Sequence, residues 1–280
     1  MPETELVAFD LTGRCGLVTL RNERALNALT LPMIDLIHRR LDRWREAAVV
    51  DCVLIEGAGD RAFCAGGDVR AVALAGRSSD RALTHDFFWH EYRLNRAISV
   101  FPQPYVALID GVTMGGGVGL SAHGTFQIAT ERTVWAMPET AIGFFPDVGA
   151  SHMLNSLEPA MAAFLALTGW RLRAADLQAL GLASHVVASS DLAALKQRLA
   201  GSAGDVAAVL AAFDAPAGES ELLQRWPAVR DAFAEPTVEA ILARLERDGG
   251  PFAGEILRLM AGMSPTSCKV ALEQLRRTRG

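Results

Sequence analysis

The chain is poor in cysteine, and the four it has, Cys15, Cys52, Cys64 and Cys268, stand far apart. No CxxC pair and no His/Cys ligand spacing occurs, so no metal site is expected. Isolated cysteines in a chain of enzyme size read as reduced, buried thiols. Lysine is scarce too, with only Lys196 and Lys269 among 27 basic residues. The net charge of −5 argues against a polyanion-binding surface, and no nucleic-acid partner is expected. No apolar run approaches the length of a membrane span, and MPETELVAFD lacks the basic-then-apolar order of a secretory leader. The expected setting is cytoplasmic. A Walker A pattern is absent, and the six histidines form no evident relay.

What is present is a core. Of 280 residues, 50% are hydrophobic and 21% charged, enough for one large domain or a core with an appendage. LVAFDL and GLVTL flank TGRC and predict a β-hairpin. Thr30 and Pro32 open a helix whose Ile34, Ile37, Leu41 and Trp44 keep helical spacing. DCVLIEG and YVALIDG read as buried strands, with TFQIAT and TVWAM as two more. HDFFWHEYRLNRAISVF reads as a helix, and AFCAGGDV as a glycine-containing loop. Strands alternating with helices indicate an α/β fold with parallel elements. After residue 150 the pattern turns helical: EPAMAAFLALTG, RAADLQALG, DLAALKQRLA, TVEAILARLERDGG and FAGEILRLMAG. ASHVV is one further short strand, and the stretch around DAPAGESE is a loop.

Two glycine loops follow buried strands, CAGGD (64–68) and MGGGVGL (114–120). Glycine allows close backbone approach, and exposed N–H groups can bind an oxyanion. Tight turns and close helix–strand packing are the plainer explanation for either loop alone. GVGLSA also fits a relaxed dinucleotide fingerprint. It lies more than a hundred residues into the chain, and Glu131 comes too early to be the acid expected about twenty positions on. MPETAIGFFPDVG places Glu139 and Asp147 eight residues apart in an otherwise apolar stretch. Locally, Asp147 suits the N-cap of a helix starting at VGASHMLNSL. Glu139 suits a turn after Pro138, and Glu91 the wet face of an amphipathic helix.

LNALTLPMI, AFCAGGDVR, PYVALIDGVTMGGGVGLS and MPETAIGFFPDVG, in this order and spacing, resemble the enoyl-CoA hydratase/isomerase (crotonase) superfamily. Within it they look most like the branch that hydrolyses 3-hydroxyisobutyryl-CoA. The resemblance runs from about residue 5 to the C-terminus. It implies a crotonase-like ββα spiral core over 1–190, with two near-perpendicular sheets, and a helical C-terminal region over 191–280. Family chains continue past the segment matching SPTSCKVALEQL, so that region is expected to be shorter here. The resemblance also implies an acyl-CoA substrate, no cofactor beyond the CoA that belongs to the substrate, and a trimer-based homo-oligomer.

The same resemblance assigns residues. The oxyanion hole would be the N–H groups of Gly67 and Gly116. Typical hydratases carry a catalytic glutamate where this chain has Gly119, and their second glutamate matches Glu139. The hydrolase branch pairs Glu139 with Asp147 and adds a third acid, matching Glu91. Substrate would touch Glu91, Gly116, Glu139 and Asp147. Coenzyme A would meet Arg24 and Arg70, with backbone near Ala25, Ala65 and Asp68. The expected reaction is hydrolysis of a short, branched 3-hydroxyacyl thioester, as in valine catabolism. Glu139 would be general base or nucleophile. A hydratase or isomerase of the same superfamily, or a non-catalytic acyl-CoA-binding protein, remain the alternatives, with a nicotinamide oxidoreductase more remote.

Overall fold

The structure, a computed structural model, describes residues 5–78, 81–201 and 205–279. The first four residues of the N-terminal stretch read above lie outside the described residues. β1 (Val7–Thr12) and β2 (Cys15–Leu20) form the expected antiparallel hairpin, with Thr12 opposite Cys15. The Thr30 hydroxyl then accepts from the Met33 N–H and caps α1 (Leu31–Ala47). Ile34, Ile37, Leu41 and Trp44 form part of its buried stripe.

Three strand pairs follow: β3 (Cys52–Gly57) with β4 (Ala62–Cys64), β5 (Tyr105–Ile109) with β6 (Val112–Met114), and β7 (Phe126–Ala129) with β8 (Val134–Ala136). In each pair the first strand joins a six-stranded sheet and the second a three-stranded one. The orders are β1-β2-β3-β5-β7-β9, closed by β9 (His185–Val186), and β4-β6-β8. Apart from the hairpin, every ladder is parallel. Parallel neighbours require crossovers. Helix α1 fills the crossover from β2 to β3, α2 (Val69–Gly76) and α3 (Ala82–Ser99) that from β3 to β5, and α4 (Gly116–Ser121) that from β5 to β7. This repeated turn is the ββα spiral that the motifs implied.

The large sheet is covered on both faces, so its central strands alternate between two apolar clusters. Val53, Ile55, Ala107 and Ile109 belong to the main core, and Cys52, Leu54, Val106 and Leu108 to a second cluster. After β8 come α5 (Ala150–Leu154), α6 (Pro159–Thr168) and α7 (Ala174–Ala179). Next, α8 (Leu192–Ala200) and α9 (Val206–Phe213) supply Leu195, Leu199, Val206 and Leu210 to the second cluster. The rest is helical: α10 (Glu221–Arg225), α11 (Arg230–Phe233), α12 (Val238–Asp248), α13 (Gly250–Met260) and α14 (Pro265–Arg277). Helix α6 is buried from Ala160 to Thr168, with Phe164 packed among Trp170, Trp226, Phe233 and Phe252.

AFCAGGDV is not simply a loop. Its first three residues are strand β4, and Asp68 caps α2 by accepting from the Ala71 N–H at 3.0 Å. Five helices, α2, α9, α10, α11 and α14, lie outside the sequence reading of helices. Two of them are only one or two turns long. In α9, VAAVLAAF has almost no polar face to set a period. All four cysteines are free and buried.

Candidate active site

The two glycine loops meet at the ends of β4 and β6. Gly66 has φ +113° and Gly115 φ +51°, values that side chains with a Cβ rarely adopt. These turns deliver the next residues, Gly67 and Gly116, to one spot. The Gly67 nitrogen lies 3.2 Å from where a Cβ on Gly116 would stand. Leu29 pairs with the first loop through Leu29 N–H to Gly66 O and Asp68 N–H to Leu29 O, both 2.8 Å, which leaves the Gly67 N–H out of the pairing. Gly116 is the first residue of α4, so its N–H has no carbonyl one turn back within the helix. Among the described residues neither N–H donates to another protein group.

These groups border a cavity of about 510 Å³ that is also lined by Glu91, Glu139 and Asp147. Glu139 begins a 3-10 turn (139–142) and is only 6% exposed, so it is not a surface turn glutamate. Glu91, on the buried face of α3, is 3% exposed and not solvated. Glu91 Oε1 would stand 2.4 Å from a Cβ on Gly116, and Glu139 Oε1 3.0 Å from one on Gly115. Each carboxylate therefore sits closely against a glycine, where a Cβ would make it shift. Asp147 does not cap a helix with its side chain. The α5 cap is Gly149, and Asp147 Oδ2 instead accepts from the Tyr92 hydroxyl at 2.7 Å.

Among the described residues, no Arg, Lys or His lines the cavity. Burial, then the Asp147 and Glu139 charges, pushes Glu91 up to about 8. Burial, with Asp147 adding to it, likewise pushes Glu139 up to about 8. Asp147 is also raised by burial, but the Tyr92 hydrogen bond opposes the rise. The remaining wall is apolar, built from Val69, Val72 and Ala73 of α2, Phe87 and Phe88 of α3, and Phe144. Phe88 stacks on Phe144 at 5.4 Å, and Phe144 on Phe145 at 4.5 Å, so residues 144–147 lie zipped to α3. The C-terminal region reaches the site as well, because the Ser264 N–H donates to the carbonyl of Thr140, next to Glu139, at 2.9 Å.

Gly119 lies inside α4, fully buried. A Cβ there would meet Val148 Cβ at 2.8 Å and Asn95 Nδ2 at 2.9 Å. Gly117 presses on the Cys64 carbonyl, 2.2 Å from its would-be Cβ. These glycines of GVGLSA pack a helix and cradle no phosphate. The residues matched to coenzyme A are scattered by comparison. Ala65 lines the cavity, whereas Arg24, Ala25 and Arg70 are exposed beside it and the Asp68 side chain caps α2. The segments that carry them are adjacent through the Ala65 N–H to Leu26 O bond, 3.0 Å. His90 pairs with Asp35 at 2.5 Å and does not line the cavity. Tyr92 and the phenylalanine ladder were not singled out from sequence. Tyr92 follows Glu91 directly on α3, and adjacency to a candidate acid was the available signal.

A model of the family described as enoyl-CoA hydratase/isomerase matches residues 15–280. The chain belongs to this family. It is 47% identical to the 3-hydroxyisobutyryl-CoA hydrolase, mitochondrial, of Xenopus tropicalis, over 94% of this chain and 71% of that protein. With the Danio rerio protein of the same name it shares 44%, over 96% and 72%. Among solved structures it superposes on a carnitinyl-CoA dehydratase from Mycobacterium thermoresistibile with TM-score 0.93 and 37% identity, covering 98% of this chain and 80% of that one. Family membership and the two-sheet spiral thus agree with the motif reading. No described helix is long and apolar enough to cross a membrane.

Proposed function

We propose that the chain hydrolyses a short 3-hydroxyacyl-CoA thioester, with 3-hydroxyisobutyryl-CoA as the first candidate and valine breakdown as its setting. The observation that carries this reading is that two free glycine N–H groups, two buried carboxylates and one half-buried carboxylate line one cavity. The thioester carbonyl oxygen lies between the Gly67 and Gly116 N–H groups, which stabilise the negative charge it acquires under attack. Glu139 takes the proton of the attacking water, or attacks first and forms an anhydride that water opens. The acyl–sulfur bond breaks, and the thiolate of CoA leaves with a proton. Glu91 and Asp147 hold the acyl hydroxyl and the water. Gly119 has no side chain for acid–base work.

Coenzyme A extends out past Ala65 toward Arg24, Ala25, Asp68 and Arg70. Water is the only co-reactant, and no cofactor or metal enters. Cytoplasmic placement and a trimer-based assembly remain part of the proposal, although the relatives named above are called mitochondrial. A second reading, hydration of an enoyl thioester, is favoured by the name of the dehydratase that shares this fold at 37% identity.

The test is thiol release from 3-hydroxyisobutyryl-CoA by wild type and Glu139→Gln, with crotonyl-CoA hydration assayed in parallel. Release is expected from the wild type, falling by about 10²–10⁴ in the variant while CoA binding persists. Hydration without thiol release moves the assignment to the second reading. CoA binding without either reaction makes the protein a binder.

A further inference from the structure

Phe144 and Asp147 line the cavity, and two things tie the segment 144–147 to α3. One is the ring ladder of Tyr92, Phe88, Phe144 and Phe145; the Tyr92 and Phe88 centroids are 6.0 Å apart. The other is the Tyr92 hydroxyl on Asp147 Oδ2. We propose that Tyr92 is a positioning residue whose O–H, 2.7 Å from Asp147, fixes that carboxylate at the cavity wall. A hydrogen bond to a charged acceptor is stronger than one between neutral groups, so the donor favours the ionised form of the acceptor.

Among the described residues the Asp147 carboxylate accepts from the Tyr92 O–H and from its own backbone N–H, and the Tyr92 bond is the larger effect. Asp147 faces Glu91 and Tyr92 from α3 and Glu139 from its own wall. His123, before β7, bonds the carbonyl of the next residue, Val148, at 2.6 Å. No cation lines the cavity among the described residues. Glu91 and Glu139 have buried oxygens, Oε1 and Oε2, with no partner among the described residues. Burial and the Asp147 charge push the Tyr92 phenol well above its usual range, so it stays a donor at any working pH. Tyr92 therefore opposes the rise that burial imposes on Asp147, while burial keeps Glu91 and Glu139 protonated until the pH rises.

The kinetic part of this inference rests on the hydrolase reading, and the first measurement does not. The carboxyl carbon of Asp147 is followed by NMR in ligand-free protein carrying ¹³C-labelled aspartate, with Asp147→Asn identifying the signal. Tyr92→Phe removes one oxygen and keeps the ring. Its Asp147 midpoint is expected to rise by about half a unit or more. An unmoved midpoint overturns the proposal.

With substrate, Tyr92→Phe is expected to lower kcat about tenfold or more with KM little changed. The rising limb of kcat/KM, set by Glu139, is expected to move to lower pH, because an Asp147 that is less readily charged raises Glu139 less. Adding Tyr92→Phe to Asp147→Asn is expected to change kcat no further, and additive losses overturn the link between the two residues. A wild type that releases no thiol, with the Asp147 midpoint still raised in the variant, sinks the hydrolase reading and leaves the Tyr92–Asp147 link standing.

Discussion

Glu139 carries the chemistry of the proposed reaction only when ionised, and its surroundings resist ionisation. Burial and the neighbouring Asp147 push it up to about 8. Either role, base or nucleophile, then requires the proton to leave first, so kcat/KM is expected to climb with pH through about 8 and level off above. A pH–rate profile on the thioester checks this; a flat profile from pH 6 to pH 9 contradicts the assignment. At the residue scale the sequence was informative about identity and poor about environment. Glu91, Glu139 and Asp147 were all candidates from their motifs. Only packing shows that Glu91 and Glu139 are buried and that Asp147 spends its side chain on Tyr92 and not on a helix cap. Short local windows carry cap and turn propensities, whereas burial depends on what arrives from elsewhere in the chain.

At the scale of elements, the glycine loops depend on how closely α4 sits on β4. Gly117 has no room for a Cβ, since one would lie 2.2 Å from the Cys64 carbonyl, and backbone cannot swing aside as a flexible side chain does. Gly117→Ala is therefore expected to push α4 outward and cost about 1–3 kcal/mol. The Gly116 N–H moves with the helix, so thiol release should fall together with the midpoint of urea unfolding. Full activity in a destabilised variant separates the loop geometry from catalysis. Long amphipathic helices such as α1, with its Thr30 cap and regular stripe, were legible because their signal repeats. The three-residue strand β4 and the four-residue helix α11 are too short for a period to repeat, and pairing with distant segments decides them.

For the whole molecule, two buried acids make stability depend on pH. Glu91 and Glu139 hold protons to about 8 in the fold, against an ordinary carboxyl value of 4.5. The folded state thus binds more protons than the unfolded chain between these values, and stability falls as pH rises through that window. Glu91→Gln keeps the shape without the charge. It is expected to raise the ligand-free Tm at pH 8.5, by roughly 2–4 °C for each kcal/mol recovered, and to leave Tm nearly unchanged at pH 4.5. Thermal melts at the two pH values check this, and an equal Tm shift at both refutes the electrostatic cause. The main core also runs through the whole chain, from Val7 to Leu275, so the C-terminal helices share the packing that surrounds the site.

The sequence by itself determined the strand–helix alternation, the two glycine loops and the acids beside them, because each is written in neighbouring residues. Tertiary structure alone decided that Gly67 and Gly116 share one spot, that three acids share one cavity, and that a tyrosine on α3 holds an aspartate 55 residues away. Those relations join segments far apart in the chain. They exist only once the apolar faces of the sheets and helices have closed together, and no local propensity encodes them.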